Sequence, residues 1–157
     1  MKVRRAAPTD FKTINKIAAE VDAFHARSVP QVFQKPSRPG RPRSFWAGIL
    51  AGRNGTILVA EHDGQVVGFL LVEVRTSLRL PILRRRRFGY VSEVGVARGW
   101  RRRGVGRLLM AAAHRRLLQR HVTQLELNVW SFNRGAMEFY ERLGYRFLSH
   151  RMGRTLG

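Results

Sequence analysis

Val94-Gly95-Val96-Ala97-Arg98-Gly99-Trp100-Arg101-Arg102-Arg103-Gly104-Val105-Gly106-Arg107-Leu108-Leu109 joins a strand-like run to a helical one through glycine and arginine. Upstream, Tyr90 to Val96 is apolar or small apart from Ser92 and one acid, Glu93. Downstream, Val105, Leu108, Leu109 and Ala112 recur at i, i+3, i+4 and i+7, and Leu117 extends the stripe, so a helix starts near Gly104. At such a junction the unpaired N–H groups of the helix's first turn converge, and glycine lets an anion approach the backbone closely. The stretch therefore reads as a cradle for a pyrophosphate. Gly104 and Gly106 also ease the turn sterically, whatever binds there.

The elements on either side suit one α/β domain covering residues 1–157. Lys2 to Arg5 is a short first strand, and Thr9 or Asp10 is placed to cap a helix whose stripe of Phe11, Ile14, Ile17, Ala18 and Val21 runs to about Val21. Prolines 30, 36, 39 and 42 make Ser28 to Pro42 a long loop, with a short helix from Ser44 to Ala51. Thr56 to Glu61 and Val66 to Val74, joined by His62-Asp63-Gly64-Gln65, form an antiparallel hairpin with buried strands. Thr76 to Phe88 connects to the next strand and carries Arg84 to Arg87, expected at the surface. Gln124 to Val129 alternates as a strand. Asn133 is placed to cap a helix striped by Ala136, Phe139, Tyr140 and Leu143, and Tyr145 to Met152 is expected as a final strand.

Composition narrows the chemistry. The chain has no cysteine, which removes disulfides, thiolate metal sites and a cysteine nucleophile. The histidines lack metal-ligand spacing, so no metal is expected. No apolar run nears the ~20 residues of a bilayer span and the first residues lack the apolar stretch of a signal peptide. A cytoplasmic protein with no membrane partner is the resulting expectation. The charge is unusual: 30 Lys+Arg against 10 Asp+Glu, a net +20, and all but Lys2, Lys12, Lys16 and Lys35 of the cations are Arg. Up to Leu83 the balance is +7, and after it +13. Such an excess suits an anionic partner, although a solvated arginine-rich surface gives the same count.

Two motifs carry a resemblance. Arg101-Arg102-Arg103-Gly104-Val105-Gly106 resembles the Arg/Gln-x-x-Gly-x-Gly/Ala coenzyme A loop of the GNAT superfamily of acetyl-CoA-dependent N-acetyltransferases. About 30 residues on, Asn128 to Tyr145 is similar to that family's second signature, a strand, an Asn and a helix ending Tyr-x-x-Leu-Gly-aromatic. The resemblance implies a mixed, mainly antiparallel sheet flanked by helices, with a V-shaped splay between two central parallel strands, here Tyr90 to Val96 and Gln124 to Val129. It implies acetyl-CoA as co-substrate, its pantetheine arm against the backbone of Val94 and Val96. The pyrophosphate would lie on the amides of Arg101, Arg102, Arg103, Gly104, Val105, Gly106 and Arg107, and Asn133 would also contact the coenzyme.

The reaction so implied is direct transfer of acetyl to a primary amine, which needs a base for the ammonium and an acid for the leaving thiolate. Glu93 is the candidate base, directly or through water, since burial would raise its pKa; a structural pairing with arginine is the competing role. Tyr140 is the candidate acid at the sulfur, or else a core tyrosine on its helix stripe. Asn133 can cap its helix as well as touch coenzyme. His25 and Glu73 are weaker candidates for the acceptor side. The acceptor stays open among protein N-termini, lysine, polyamines, aminoglycosides and other small amines, with selectivity expected in Asp22 to Pro42 and Thr76 to Gly89. A homodimer fits the family's habit. The competing class is a basic nucleic-acid- or ribosome-associated binding protein on the same scaffold, for which Arg84 to Arg87 is the best sign.

Overall fold

The computed structural model describes residues 1–34, 41–52 and 54–156, so part of the proline-rich loop and Arg53 lie outside it. Five strands form one sheet in the order β1 (Lys2–Arg5), β2 (Gly55–His62), β3 (Gln65–Thr76), β4 (Arg87–Val96) and β5 (Leu125–Leu127). The first four pair antiparallel and β4 pairs parallel with β5. Four helices flank them: α1 (Phe11–Ser28), α2 (Arg43–Ala51), α3 (Val105–Leu118) and α4 (Arg134–Arg142).

Strand alternation divides the core in two. Leu58, Ala60, Leu70, Val72 and Val74 point to one face, where they pack with Val105, Leu109, Met110, Ala113 and Leu117 of α3 and Tyr140 of α4. Ile57, Val59, Phe69 and Leu71 point to the other, against Phe11, Ile14, Ile17 and Ala18 of α1 and Trp46 of α2. Both faces are covered, which is why these strands read as nearly continuous apolar runs.

Three expectations need correcting. α1 continues beyond Val21 to Ser28, because Phe24 and His25 find partners outside the sheet-facing stripe. β5 is only three residues long, shorter than Gln124 to Val129. Tyr145 to Met152 is not a strand: residues 145–156 run without regular structure, and Phe147, Leu148 and Met152 are exposed. A strand needs a neighbour's ladder, and the short β5 offers little edge to extend.

The entry to α1 is held by charge. Asp10 does not cap α1 in the usual way; its Oδ2 accepts from the Ala7 N–H at 2.7 Å, closing a 3-10 turn over Pro8–Asp10. The Arg4 guanidinium donates to both Asp10 oxygens, at 2.7 and 3.0 Å, and to Glu61 of β2 at 2.6 Å. β1, β2 and the start of α1 are thus tied by one arginine. That bonding, together with the Ala7 amide, holds the Asp10 carboxyl below its ordinary value of 3.8 against the opposing effect of burial. The folded state therefore binds a proton at Asp10 less readily than the unfolded chain, and this stability is present above the ordinary carboxyl pKa and lost below it. Asp10→Asn is expected to lower the unfolding free energy at neutral pH by about 1–3 kcal/mol. Chemical denaturation compared across pH should show the gap from the parent narrowing as the pH falls through the carboxylate range.

Candidate active site

β4 carries one residue too many. Leu71 of β3 lies opposite Glu93, but the next residue, Val72, lies opposite Val91, so Ser92 is a β-bulge. The bulge resets which way everything beyond it points. Below it, Gly89 and Val91 face α3; above it, Val94 and Val96 pack on the α3 side, while Gly95 turns to Phe69 and Ile17. A Cβ at Gly95 would come within 2.7 Å of Phe69 and 2.9 Å of Ile17, so the close approach of α1 requires glycine there. Glu93 shares the α1 face with Gly95.

The bulge also redirects the backbone. Below it, the Gly89 N–H donates to the Gln124 C=O at 2.8 Å, on the β5 side. Pairing of β4 with β5 ends at Val91 and Leu127. Past the bulge, the Ala97 N–H donates to Val67 C=O at 3.0 Å on the β3 side. In an antiparallel ladder Gly95 and Glu93 then bond to β3, and Val94 and Val96 turn their N–H and C=O towards the side where β5 has ended. The result is a splay between parallel strands with two residues presenting backbone to it. One of those groups, the Val96 C=O, accepts from Arg101 Nε at 3.1 Å.

Beyond Val96 a short 3-10 turn, Arg98–Trp100, leads into Arg101 to Gly104 and α3. Arg102 and Gly104 take left-handed backbone, at φ 64° and 81°, and a Cβ at Gly104 would meet nothing within 4 Å. The glycine thus serves a backbone conformation and leaves open space beside it. The first hydrogen bond of α3 is Leu108 N–H to Gly104 C=O at 3.1 Å, which leaves the amides of Val105, Gly106 and Arg107 without intrahelical acceptors. Arg101 is exposed but turned back: its guanidinium meets Glu20 of α1 at 3.0 Å. Arg103 lies over the Trp100 ring at 5.3 Å, and Arg102 and Arg107 are exposed. Free amides, open space and exposed cations fit a pyrophosphate at this turn.

Glu93 is not alone. Arg41 Nε approaches its Oε1 at 2.8 Å, and the same guanidinium makes two bonds to Asp22 of α1, at 3.0 and 3.2 Å. Arg41 is itself fixed by Asn15, which accepts from its N–H at 3.1 Å and donates to its C=O at 3.0 Å, while Trp46 Nε1 donates to the Asn15 Oδ1 at 2.8 Å. Burial pushes the Glu93 carboxyl above its ordinary 4.5; the Arg41 charge opposes this and the Asp22 charge adds to it. Sequence reasoning missed Arg41 and Asp22, which lie 52 and 71 positions before Glu93.

Tyr140 is 8% exposed, packed in the α3-side core against Phe139 and Tyr145. Its hydroxyl has no hydrogen-bond partner among the described residues, yet keeps some accessible surface. Burial raises its pKa to about 12, so it is a phenol at neutral pH. Asn133 caps α4, its Oδ1 accepting from the Ala136 N–H at 3.1 Å with its NH2 left over. His25 bonds the Val21 C=O through Nδ1 at 2.9 Å and joins Phe24, Phe33 and Phe132 in an aromatic cluster. That cluster ties the end of α1 to the β5–α4 connection. Glu73 accepts from Arg75 at 2.7 Å and from the bulge hydroxyl, Ser92 Oγ, at 2.9 Å. Among the described residues no group of three or more His, Asp or Glu is gathered to hold a metal.

Comparison with known proteins agrees with this geometry. Residues 21–145 match the Acetyltransferase (GNAT) family. The chain is 28% identical over 151 residues to the 5-NmdU N-acetyltransferase of Pseudomonas phage PaMx11, covering 96% of this chain and 91% of that protein. It is 27% identical over 150 residues to an N-alpha-acetyltransferase of Sulfurisphaera tokodaii, covering 92% and 80%. It spans about half, 47%, of the N-alpha-acetyltransferase 60 of Xenopus tropicalis, at 27% identity over 113 residues, 64% of this chain. The BH1408 protein of Bacillus halodurans, in its tetramutant crystal structure, superposes with a TM-score of 0.94 at 25% identity, over 99% of this chain and all of that one. With the family match extending over most of its length and both motifs on the elements the fold requires, the chain belongs to the GNAT acetyltransferase family.

Proposed function

We propose that the protein transfers the acetyl group of acetyl-CoA to a primary amine by direct attack. The observation that carries this reading is the Ser92 bulge, which turns the Val94 and Val96 backbone to the splay and Glu93 to the α1 face. Bound there, acetyl-CoA supplies a reactive thioester. The amides of Val105, Gly106 and Arg107 hold its pyrophosphate, with Arg102 and Arg103 near its remaining phosphate and the Asn133 NH2 as a further contact. Glu93 takes the proton from the acceptor ammonium, directly or through a water, and the freed amine attacks. A carboxyl whose pKa is raised is a better base near neutrality than an ordinary one. Tyr140 gives its phenolic proton to the sulfur as the carbon–sulfur bond breaks, and the proton shed by the new amide nitrogen passes back to the phenolate through solvent. Arg41 is a positioning residue: it orients the carboxylate and limits how far burial raises its pKa.

The acceptor approaches a protein of net charge +20. A polycation such as a polyamine or an aminoglycoside is repelled at long range, whereas a single amine on a neutral or anionic carrier is not. The N-terminal amine of a polypeptide fits that condition, and two relatives are named as N-alpha-acetyltransferases. A nucleotide amine fits it too, and the relative from phage PaMx11 acts on 5-NmdU by name. Free-thiol release across a panel of peptides, aminomethyl nucleosides, polyamines and aminoglycosides tests the reading. Turnover with a mono-amine and not with the polycations supports it, and a preference for the polycations overturns the choice of acceptor.

Gly104→Asp forces a side chain onto left-handed backbone and sets a carboxylate at the pyrophosphate turn. Calorimetry is expected to read at least a tenfold loss of acetyl-CoA affinity, about 1.4 kcal/mol. Tyr140→Phe keeps the ring packing and is expected to lower kcat roughly a hundredfold with little change in coenzyme affinity. For Glu93 the sign is set by the need for carboxylate: the rate falls on the acidic side as Glu93 takes up its proton. Glu93→Gln should remove that limb. Arg41→Met removes the opposing cation, so the limb should move to higher pH, read from kcat/KM profiles.

A further inference from the structure

The β3–β4 connection, residues 77–86, is a built projection. Its neck is closed by Ser77, whose N–H donates to the Arg86 C=O at 3.0 Å and whose hydroxyl accepts from the Arg86 N–H at 3.0 Å and donates to the Arg84 C=O at 3.2 Å. Its tip is a turn in which the Leu83 N–H returns to the Leu80 C=O at 3.0 Å, with Pro81 at the first corner, where its fixed φ suits a turn. What the tip displays is unusual for a polar loop. Ile82 is 89% exposed, Leu78 72%, Leu80 49% and Leu83 46%. Directly behind them, Arg79, Arg84 and Arg85 are exposed and have no ion-pair partner among the described residues.

The candidate occupants differ in what they satisfy. A nucleic acid would neutralise the arginines but leave four aliphatic side chains against phosphate and water. The aromatic rings beside the loop among the described residues already carry arginines, Arg86 over Phe88 at 4.7 Å and Arg75 over Tyr90 at 3.7 Å, which compete with stacked bases. A second copy of the chain would cover the apolar tip but bring the same arginines and the same +20 to the contact. An anionic lipid surface satisfies both groups. Exposed apolar side chains at the turn are flanked within one to three residues in sequence by exposed cations. No helix among the described residues is long and apolar enough to cross a membrane, and peripheral docking needs none.

We propose that loop 77–86 docks the protein on an anionic lipid surface, with Leu80, Ile82 and Leu83 entering the acyl boundary and Arg79, Arg84 and Arg85 on the headgroup phosphates. The proposal departs from the sequence-based expectation of no membrane partner, and it stands apart from the choice of acceptor. Docking leaves the coenzyme turn in solvent, because the loop opens β4 at Arg87 and the turn follows its other end at Val96.

Co-sedimentation of the whole chain with vesicles of phosphatidylcholine, with and without phosphatidylserine, tests the proposal. The parent should bind the serine-containing vesicles and release with salt. Because any protein of this charge is attracted to an anionic surface, the deciding variant is Leu80→Ser, Ile82→Ser, Leu83→Ser. Its partitioning should fall at least about tenfold with every arginine kept. Acetyl-CoA affinity within twofold of the parent confirms that this variant is folded. Ile82→Trp should shift its emission to the blue on the anionic vesicles. Arg79→Gln, Arg84→Gln, Arg85→Gln should weaken the preference for phosphatidylserine, by more than the loss of any three exposed arginines placed away from the loop. Three results would overturn the proposal: parent-level vesicle binding by the serine variant, displacement of the parent from vesicles by duplex RNA with the serine variant binding that RNA as tightly, or a dimer in solution that the serine variant dissociates.

Discussion

One extra residue in β4, Ser92, is the constraint on which the site depends. Without it, strand alternation would turn Glu93 into the α3-side core and aim the Val94 and Val96 amides at β3. With it, the acid lies on the α1 face beside Arg41 and Asp22, and the strand turns the Val94 and Val96 backbone to the gap where β5 ends. A bulge locally disrupts pairing, and here its hydroxyl is tied to Glu73 across the sheet at 2.9 Å. Position of the acid, opening of the splay and exposure of the amides thus come from a single backbone irregularity.

The charge of the chain is likewise distributed by the fold. α3 is 14 residues long, about 21 Å, and carries arginines near both ends. At its N-terminus exposed arginines lie close in sequence to amides without intrahelical acceptors, a setting that suits a compact anion. Near its C-terminus Arg116, bonded to Thr56 Oγ1 at 3.1 Å, feels the like charges of Arg5 and Arg120, and the Arg87 guanidinium bonds to the Arg120 C=O at 3.0 Å. Burial, with the like charges of Arg5 and Arg120 adding to it, lowers the Arg116 pKa.

Much of this was legible in the sequence because it rests on local patterns. The stripe from Phe11 to Ala18, the hairpin around Asp63-Gly64, the glycine junction at Gly104 and the Asn133 cap each need only neighbours in sequence. Glu93 stood out as the lone acid of its strand. The bulge left no such signal: Val91, Val94, Gly95 and Val96 are all small or apolar, so the change of parity shows only in the register of β3 against β4. Arg41 and Asp22 left none: their link to Glu93 depends on how α1 and the segment before α2 pack over the sheet. Residues 145–152 misled because apolar content alone suggested a strand, and the short β5 gives it no partner. The exposed tip at Ile82 was hidden for another reason: Thr76 to Phe88 read as a connection, and which of its side chains face solvent shows only once the turn at Leu80 to Leu83 is seen.

The central claim, that the bulge presents Val94 and Val96 to the pantetheine arm, is tested most directly by amide hydrogen exchange with and without acetyl-CoA. The account predicts that exchange at Val94 and Val96 slows at least about tenfold on saturation, as new backbone bonds form. Gly95, already bonded to β3, should change little. Unchanged exchange at both valines in a protein that binds acetyl-CoA would contradict it.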